Sequence, residues 1–277
     1  MNVYFTGRGF AGVALLALWT LGGCAKGASV WASRQDHFEI AVESATQVVA
    51  TTHDGTQTVV GVEDSGGKVK VDANVRGGGV SRSDAQAALD AIAVAVERQG
   101  ETIDVSWDWK TAKSPAWSAD VDFEIKLPPR TNVKLVTHNG PVVAQGIEGE
   151  CLLETRNGRI TAQSTGPRLD ATTHNGDLDI TTSAADVALD TYNGGIAARL
   201  NATGDVGGSI VSHNGGIVVV LAGTAAAALE CSTANGHIHC DHNLEQALMT
   251  QTSLKGSIRG GKKTLRIQTQ NGSIKIQ

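Results

Sequence analysis

Apolar and polar residues alternate with a period of two through most of residues 131–277, and the alternation is arranged around a repeated Asn-Gly dipeptide. The second residue after each glycine is aliphatic, and the second residue before each asparagine is threonine or serine. A period of two predicts β-strands with one face in a core. The dipeptides begin at Asn139, Asn157, Asn175, Asn193, Asn214, Asn235 and Asn271, and Lys255-Gly256 is interpreted as a degenerate copy.

The first four dipeptides are 18 residues apart and the next two follow at intervals of 21, which indicates stacked repeat units. Asn-Gly can close antiparallel hairpins, or it can stand at the corner of each coil of a β-solenoid. A hairpin meander would leave a large apolar face uncovered. The pattern therefore favours a mainly β protein with a single-stranded β-helix of about eight coils over residues 131–277, in which the asparagines stack into ladders.

Residues 38–130 are predicted to form a strand-rich section with one helix that caps the solenoid. The helix is expected to begin with a capping box at 83–86, to place Leu89, Ile92 and Val96 on one face, and to end at Gly100. The expected strands are His37–Glu43, Thr46–Thr52, Thr56–Val62, Lys68–Ala73, Thr102–Trp109 and Ala119–Leu127.

The first 23 residues have the pattern of a signal peptide, with one charge at Arg8 and an apolar run too short to span a membrane. Leu21-Gly22-Gly23-Cys24 resembles the bacterial lipobox, which implies that Cys24 is acylated and becomes the first mature residue. Ala25 is not the aspartate that signals inner-membrane retention, so the resemblance favours the outer membrane. Residues 24–37 are predicted to be the lipidated cysteine and a tether.

The lipobox, the N-terminal strand region with one helix, Pro128-Pro129 and the T-x-N-G-x-I coils together resemble the bacterial putative-adhesin family, a domain-of-unknown-function family of β-helical envelope lipoproteins. The resemblance covers roughly residues 38–277. It implies a surface interaction, and the family has no assigned catalytic residues to carry over.

Composition and charge narrow the function classes. The net charge of −5 argues against a nucleic-acid binder, because such proteins carry basic patches. Aromatic residues make up only 4% of the chain, which predicts a thin aliphatic core. No phosphate-binding loop or Ser-His-Asp spacing is present, and no cofactor is expected.

Five side chains that directly precede Asn-Gly are predicted to form one outward column, and they are the first candidate ligand surface: His138, Arg156, His174, Tyr192 and His213. Histidines two coils apart are too distant to share a metal ion, so the column is either a polar ladder or a ligand surface. Trp107 and Trp109 share a strand face and are expected to form either part of the N-terminal core or a sugar-stacking platform.

A weak metal candidate consists of His237, His239 and Asp241, which alternate outward on one strand with Arg259 expected beside His239. Three cysteines follow Cys24 and are expected to face inward: Cys151, Cys231 and Cys240. Buried thiols are one interpretation, and a disulfide between the last two is the other.

The sequence therefore predicts a non-catalytic protein, anchored in the bacterial envelope through lipid at Cys24, whose solenoid binds or scaffolds envelope polysaccharide or protein. One alternative is a β-helical polysaccharide-processing enzyme that uses Asp177 and Asp179, with Arg159 one coil away. Another is an envelope-stress or assembly component whose free last strand, Ser273 to Gln277, pairs with a protein partner; Lys275 on that edge would oppose such pairing.

Overall fold

The computed structural model describes residues 30–42, 47–164 and 166–277, which form β-strands and one helix. The predicted signal peptide, the lipobox and Cys24 lie outside these residues. The elements before the repeat are β1 (Val30–Ala41), β2 (Gln47–Thr51), β3 (Gln57–Gly61), β4 (Lys68–Gly79), α1 (Arg82–Ala91), β5 (Ile92–Gln99), β6 (Thr102–Trp109) and β7 (Ser118–Leu127). The elements of the repeat are β8 (Asn132–Asn139), β9 (Val142–Ile147), β10 (Cys151–Asn157), β11 (Ile160–Ser164), β12 (Arg168–Asn175), β13 (Leu178–Thr182), β14 (Asp186–Asn193), β15 (Ile196–Leu200), β16 (Gly207–Asn214), β17 (Ile217–Leu221), β18 (Ala227–Asn235), β19 (Ile238–Cys240), β20 (Glu245–Met249), β21 (Ser253–Ile258), β22 (Thr264–Asn271) and β23 (Ile274–Ile276).

Two large sheets form the body of the protein. Sheet A has 11 strands in the order β1-β4-β7-β3-β9-β11-β13-β15-β17-β23-β19. Sheet B has 12 strands in the order β20-β21-β18-β22-β16-β14-β12-β10-β8-β2-β6-β5. Each Asn-Gly copy places the strand before the dipeptide in sheet B and the strand after it in sheet A. The copies pair in parallel, with Asn157 opposite both Asn139 and Asn175. Parallel pairing identifies a solenoid-like arrangement and excludes the antiparallel meander.

Each position of the repeated motif has a physical role at the corner. The hydroxyl of buried Thr173 donates to the carbonyl oxygen of Gly158 at 3.0 Å. The Asn175 side-chain amide donates to Asn157 Oδ1 at 2.7 Å. A Cβ on Gly176 would lie 1.9 Å from the Gly158 oxygen, so only glycine lets the coils approach this closely. The aliphatic residue two places later is buried in every copy.

The hydrophobic core is continuous across the predicted boundary at residue 130. One cluster of buried residues extends from Val48 to Ile276. In sheet B, β2 lies between β6 and β8, and in sheet A β3 lies between β7 and β9. The section before the repeat therefore supplies coils of the same two sheets in addition to a cap.

The predicted helix is wrong in both its start and its end. Its N-cap is Ser81, whose hydroxyl accepts a hydrogen bond from the Asp84 amide, and α1 ends at Ala91. Ile92 begins strand β5, which pairs antiparallel with β6 from Ile92 opposite Trp109 to Gln99 opposite Thr102. The sequence from Ile92 onward fits both the helical period of about 3.6 residues and the strand period of two. Pairing along the whole of β6 selects the strand.

The predicted tether is too long at its C-terminal end. Residues 30–37 belong to β1, which pairs antiparallel with β4 from Val30 opposite Gly79 to Ala41 opposite Lys68. β4 is also longer than expected, because Gly77, Gly78 and Gly79 continue the strand. A Cβ on Gly77 would lie 2.3 Å from the Leu89 amide nitrogen, and one on Gly79 would lie 2.5 Å from the Asp84 Cβ, so these two glycines let α1 pack closely on the sheet.

The C-terminal coils are stacked out of sequence order. β22 lies between β16 and β18, and β23 lies between β17 and β19. The last strand is therefore paired on both sides, which overturns the expectation of a free strand at Ser273 to Gln277. Lys255-Gly256 is not a coil corner, because β21 runs antiparallel to β18 with Lys255 opposite Glu230.

Candidate functional site

The five residues that precede Asn-Gly form one outward column on sheet B, as the repeat predicts. They stand at the ends of β8, β10, β12, β14 and β16, whose asparagines are aligned in register. The Tyr192 ring stacks on His174 with centroids 4.9 Å apart and on His213 with centroids 4.4 Å apart. Arg156 Nη1 lies 3.3 Å from His138 Nε2. Parallel stacking with a coil spacing near 4.8 Å brings these rings into contact.

His53 extends the column by one coil, and sequence reasoning missed it. Its ring stacks on His138 with centroids 4.7 Å apart. The neighbouring Asp54 bridges to Asn139 in parallel and accepts its side-chain amide at 2.6 Å. His53-Asp54-Gly55 is thus a copy of the corner motif in which aspartate replaces asparagine. A search for Asn or Asp before glycine finds this signal.

The electrostatics of the column differ between its two ends. Burial opposes the ionisation of Asp54, but hydrogen bonds from Asn139 and from His53, 2.9 Å away, outweigh that effect and lower the pKa of Asp54. Toward the other end, Asp190 lies on the same outward face two residues before Tyr192, and partial burial raises its pKa. The column therefore combines ring nitrogens, a phenol and a guanidinium with two carboxylates of opposite pKa shift.

The stacking determines which parts of the rings meet a ligand. Interplanar angles of 7° and 13° between Tyr192 and its two neighbours show that the ring faces cover each other. Tyr192 is 45% exposed, so its ring edge reaches solvent, whereas the Nδ1 atom of His138 is buried. A column of edges offers hydrogen bonds along a line and few free ring faces for stacking on a sugar.

A shallow groove of about 480 Å³ continues the surface beyond His213. The next two coils carry Gln270 and Ala234 in place of rings, and smaller side chains widen the surface there. Val211, Gln268 and Ser232 line its other side. The column and the groove together run across sheet B along the stacking direction.

The two tryptophans lie on β6, the strand that pairs with β2 beside the His53 end of the column. Trp107 Nε1 donates to the Thr52 hydroxyl at 2.9 Å, and the ring stands edge-on to Trp109 with centroids 5.9 Å apart. Trp109 in turn stacks on Trp117, and Lys113 lies over its ring at 5.8 Å. Both predicted tryptophans pack partly against the core. The geometry supports the core interpretation over a free stacking platform.

The weak metal candidate is not assembled into a site. His239 Nε2 lies 2.6 Å from Asp241 Oδ1, whereas His237 Nδ1 faces the Gln251 amide at 2.8 Å. The neighbour of His239 on the next strand is Lys275 and not the expected Arg259, because β23 is inserted beside β19. Among the residues that the structure describes, no group of three or more His, Cys, Asp or Glu is placed to hold a metal ion.

The two candidate catalytic carboxylates, Asp177 and Asp179, differ in their hydrogen bonds and ion pairs. Asp177 forms an ion pair with Arg159 at 2.9 Å, and its other oxygen accepts the Gly195 amide at 2.9 Å. Both bonds join neighbouring coils, so Asp177 has a structural role. Asp179 lies exposed on β13, which begins just after Asp177, beside a shallow depression. The pair provides no enclosed site in which an acid and a base face one substrate.

The three described cysteines are free thiols. Burial raises the pKa of Cys151 to about 11 and that of Cys231 to about 12. Burial also raises the pKa of Cys240, which is only half-buried. The structure therefore agrees with the interpretation of buried thiols and not with a disulfide between Cys231 and Cys240. The raised pKa values make the thiols poor nucleophiles.

Comparison with known families gives one match over most of the chain. Residues 36–277 match the family described as Toastrack DUF4097. No protein of curated function is significantly similar in sequence. In the described part of the chain, no helix has the length and apolar character needed to cross a membrane.

Several solved structures share weak similarity with the chain. A putative cell adhesion protein from Clostridium sporogenes is 11% identical with a TM-score of 0.37, and the match covers 88% of this chain and 99% of that one. A putative adhesin from Bacteroides fragilis is 13% identical with a TM-score of 0.39, covering 88% and 97%. A putative lipid binding protein from Parabacteroides distasonis is 10% identical with a TM-score of 0.32, covering 88% and 96%.

Proposed function

Because the chain belongs to the Toastrack DUF4097 family, we propose that it is a non-catalytic, adhesin-like protein of the bacterial envelope, anchored by lipid at Cys24 in the outer membrane. Its solenoid-like body acts as a binding or scaffolding surface for envelope polymers. The observation that carries this proposal is the column on sheet B, in which ring and guanidinium side chains from His53 to His213 follow one another on successive coils.

The geometry of the column favours an extended ligand. Six coils contribute one side chain each, so the line extends over about 24 Å at the usual strand spacing. Ring nitrogens, the Tyr192 hydroxyl and the Arg156 guanidinium suit hydroxyl and carboxylate groups spaced along a chain. A polysaccharide with such groups fits these contacts better than an apolar ligand does.

No observation favours the enzyme alternative. Asp177 is held by Arg159 and the Gly195 amide, and Asp179 is exposed on an open face. A binding surface needs no enclosed water-free cavity, whereas acid–base hydrolysis of a glycan needs two carboxyl groups on opposite sides of one bond.

The test is binding of the mature chain carrying Cys24→Ser to purified envelope polysaccharide and peptidoglycan. We expect saturable binding without product formation, and Tyr192→Ala is expected to weaken it about tenfold, the equivalent of one or two hydrogen bonds of ordinary net strength. Val218→Ala is the matched control, because Val218 is 39% exposed on sheet A, away from the column. Equal affinity of the two variants, or no binding to either fraction, would refute the proposal.

Lipid anchoring is tested separately. The full-length chain expressed in a diderm bacterium is expected to incorporate a labelled fatty acid and to fractionate with the outer membrane. Cys24→Ser should abolish both the label and the membrane fractionation. Unchanged labelling in that variant would show that Cys24 is not the acylated residue.

A further inference from the structure

Asn-Gly is the dipeptide most prone to spontaneous deamidation, because glycine has no side chain to hinder attack by its own backbone nitrogen. That nitrogen attacks the asparagine Cγ, the side-chain nitrogen leaves as ammonia, and a five-membered succinimide forms. Water then opens the ring to aspartate or isoaspartate. The reaction needs a free glycine N–H and a side-chain amide that can rotate toward it. This chain carries seven such dipeptides in the repeat.

Six of the seven glycine N–H groups are held by the next coil in the stack. Each donates to the main-chain oxygen of the neighbouring asparagine at 3.0 or 3.1 Å: Gly140 to Asn157, Gly158 to Asn175, Gly176 to Asn193, Gly194 to Asn214, Gly215 to Asn271 and Gly272 to Asn235. The side chains of these six asparagines are held as well. Each Oδ1 accepts the amide of the next asparagine at 2.7 to 2.9 Å.

Asn235 stands at the end of both ladders. Its side-chain amide donates to Asn271 Oδ1 at 2.8 Å, and its main-chain oxygen accepts the Gly272 N–H. In the described part of the chain the strand beyond β18 is the antiparallel β21, and no further Asn-Gly coil supplies the other two bonds. Within the residues that the structure describes, Asn235 Oδ1 accepts no hydrogen bond and the Gly236 N–H donates none. The Asn235 side chain is also exposed to solvent.

We propose that Asn235 is a self-modification site at which the folded protein deamidates, while the ladder protects the other six asparagines. The Gly236 nitrogen forms a bond to Asn235 Cγ and loses its proton to solvent, the Cγ–Nδ2 bond breaks, and ammonia is released. Hydrolysis of the succinimide consumes one water molecule and leaves a carboxyl group at position 235. No oxidant, metal or enzyme takes part.

The modification changes the end of the solenoid. The new carboxylate has no N–H to donate, so it meets Asn271 Oδ1 as a second acceptor. The isoaspartate product adds a methylene to the main chain at the corner between β18 and β19. That corner is flanked by two hydrogen bonds to the β20–β21 turn, from Thr233 N to Thr252 O and from Ile238 N to Gln251 O. Deamidation therefore loosens the terminal coil.

The experiment is timed peptide mapping by mass spectrometry of the full-length folded protein, incubated in mildly alkaline buffer beside the same protein unfolded in urea. In urea all seven sites are expected to convert at similar rates. In the folded protein, two absent hydrogen bonds of ordinary strength predict conversion at Asn235 about thirtyfold faster than at any other site. Conversion at an internal site as fast as at Asn235 would overturn the proposal, and so would an intact Asn235 after the unfolded chain has reacted.

Asn235→Ala provides a second readout. It removes the amide that donates to Asn271 Oδ1 and leaves the bond from the Gly272 N–H to the main-chain oxygen of residue 235 in place. The Asn271-Gly272 dipeptide then lacks one of its three restraining hydrogen bonds, and Asn271 is expected to deamidate about fivefold faster than in the parent protein. Asn175 in the same sample is the internal control. An unchanged rate at Asn271 would show that the side-chain ladder gives no protection.

Discussion

Gly194→Ala is expected to destabilise the protein far more than Gly195→Ala, although the two glycines are adjacent. A Cβ on Gly194 would lie 1.9 Å from the Gly176 carbonyl oxygen, whereas the nearest atom to a Cβ on Gly195 is the Gly216 oxygen at 3.5 Å. Neither glycine has a positive φ. The comparison therefore isolates close approach between coils from backbone conformation.

The magnitude follows from the bonds that cross this corner. Gly176 N donates to Asn193 O at 3.0 Å, Asn193 Nδ2 donates to Asn175 Oδ1 at 2.8 Å, and Leu178 N donates to Gly195 O at 3.0 Å. To accommodate the new methyl group, the coils must separate by about 1 Å, which takes these bonds beyond hydrogen-bonding range. At about 1 kcal/mol each, the loss is about 3 kcal/mol.

Chemical denaturation followed by circular dichroism measures this difference. Gly195→Ala is expected to change the free energy of unfolding by no more than about 0.5 kcal/mol, as ordinary surface substitutions do. The two variants should have the same denaturant dependence, so the midpoint alone moves. A loss below 1 kcal/mol in Gly194→Ala, or an equal loss in both variants, would refute the reasoning from coil spacing.

Three further predictions concern single side chains. Asn175→Asp replaces a hydrogen-bond donor in the ladder by a second acceptor, and it is expected to lower the free energy of unfolding by about 2 kcal/mol at neutral pH. The loss should be smaller in acid, where the protonated carboxyl group can donate. Denaturation at both pH values measures the two losses. Asp190→Asn is expected to stabilise the protein at neutral pH, because burial raises the folded-state pKa of Asp190 and so penalises its charged form. Below the unfolded-state pKa, the carboxyl group is protonated in both the folded and the unfolded state. The gain in stability should therefore vanish in denaturation curves recorded in acid. Of the three described cysteines, Cys240 should react first with a thiol reagent in the native protein, because it is only half-buried. Cys151 should react slowly, because at neutral pH a pKa of about 11 leaves about a hundredfold less thiolate than the ordinary value of 9.0 does. Equal reaction rates of the cysteines before and after unfolding would contradict this.

The corner motif was predictable from the sequence because every coil requires the same residue types at the same positions of its corner. The buried hydroxyl, the amide ladder and the closely approached glycine each require one residue type, so the column from His138 to His213 follows from the spacing. His53 was missed because aspartate replaces asparagine in its copy. Its coil is also separated from β8 by β4, α1 and β5–β7, so no regular interval marks it.

The stacking order could not be predicted in the same way. The alternation of apolar and polar residues indicates which face of a strand is buried, but it does not indicate which coils are neighbours in the stack. The position of β22 between β16 and β18 is decided by long-range packing, and so is the identity of the neighbour of His239. The segment from Ile92 to Val96 fits both a helical and a strand period, and the extended partner β6 resolves it.

The out-of-order insertion near the C-terminus has a consequence for synthesis and export. A chain that emerges from its N-terminus presents β17 and β19 before β23 exists, so both leave an unpaired strand edge in the growing domain. Residues 264–276 must enter between two coils that were made earlier. There β23 pairs with β17 and β19, and β22 pairs with β16 and β18, so that four strand edges are closed. Synthesis of residues 264–276 is therefore the event that seals the solenoid, and a product truncated before residue 264 retains four exposed strand edges as templates for aggregation.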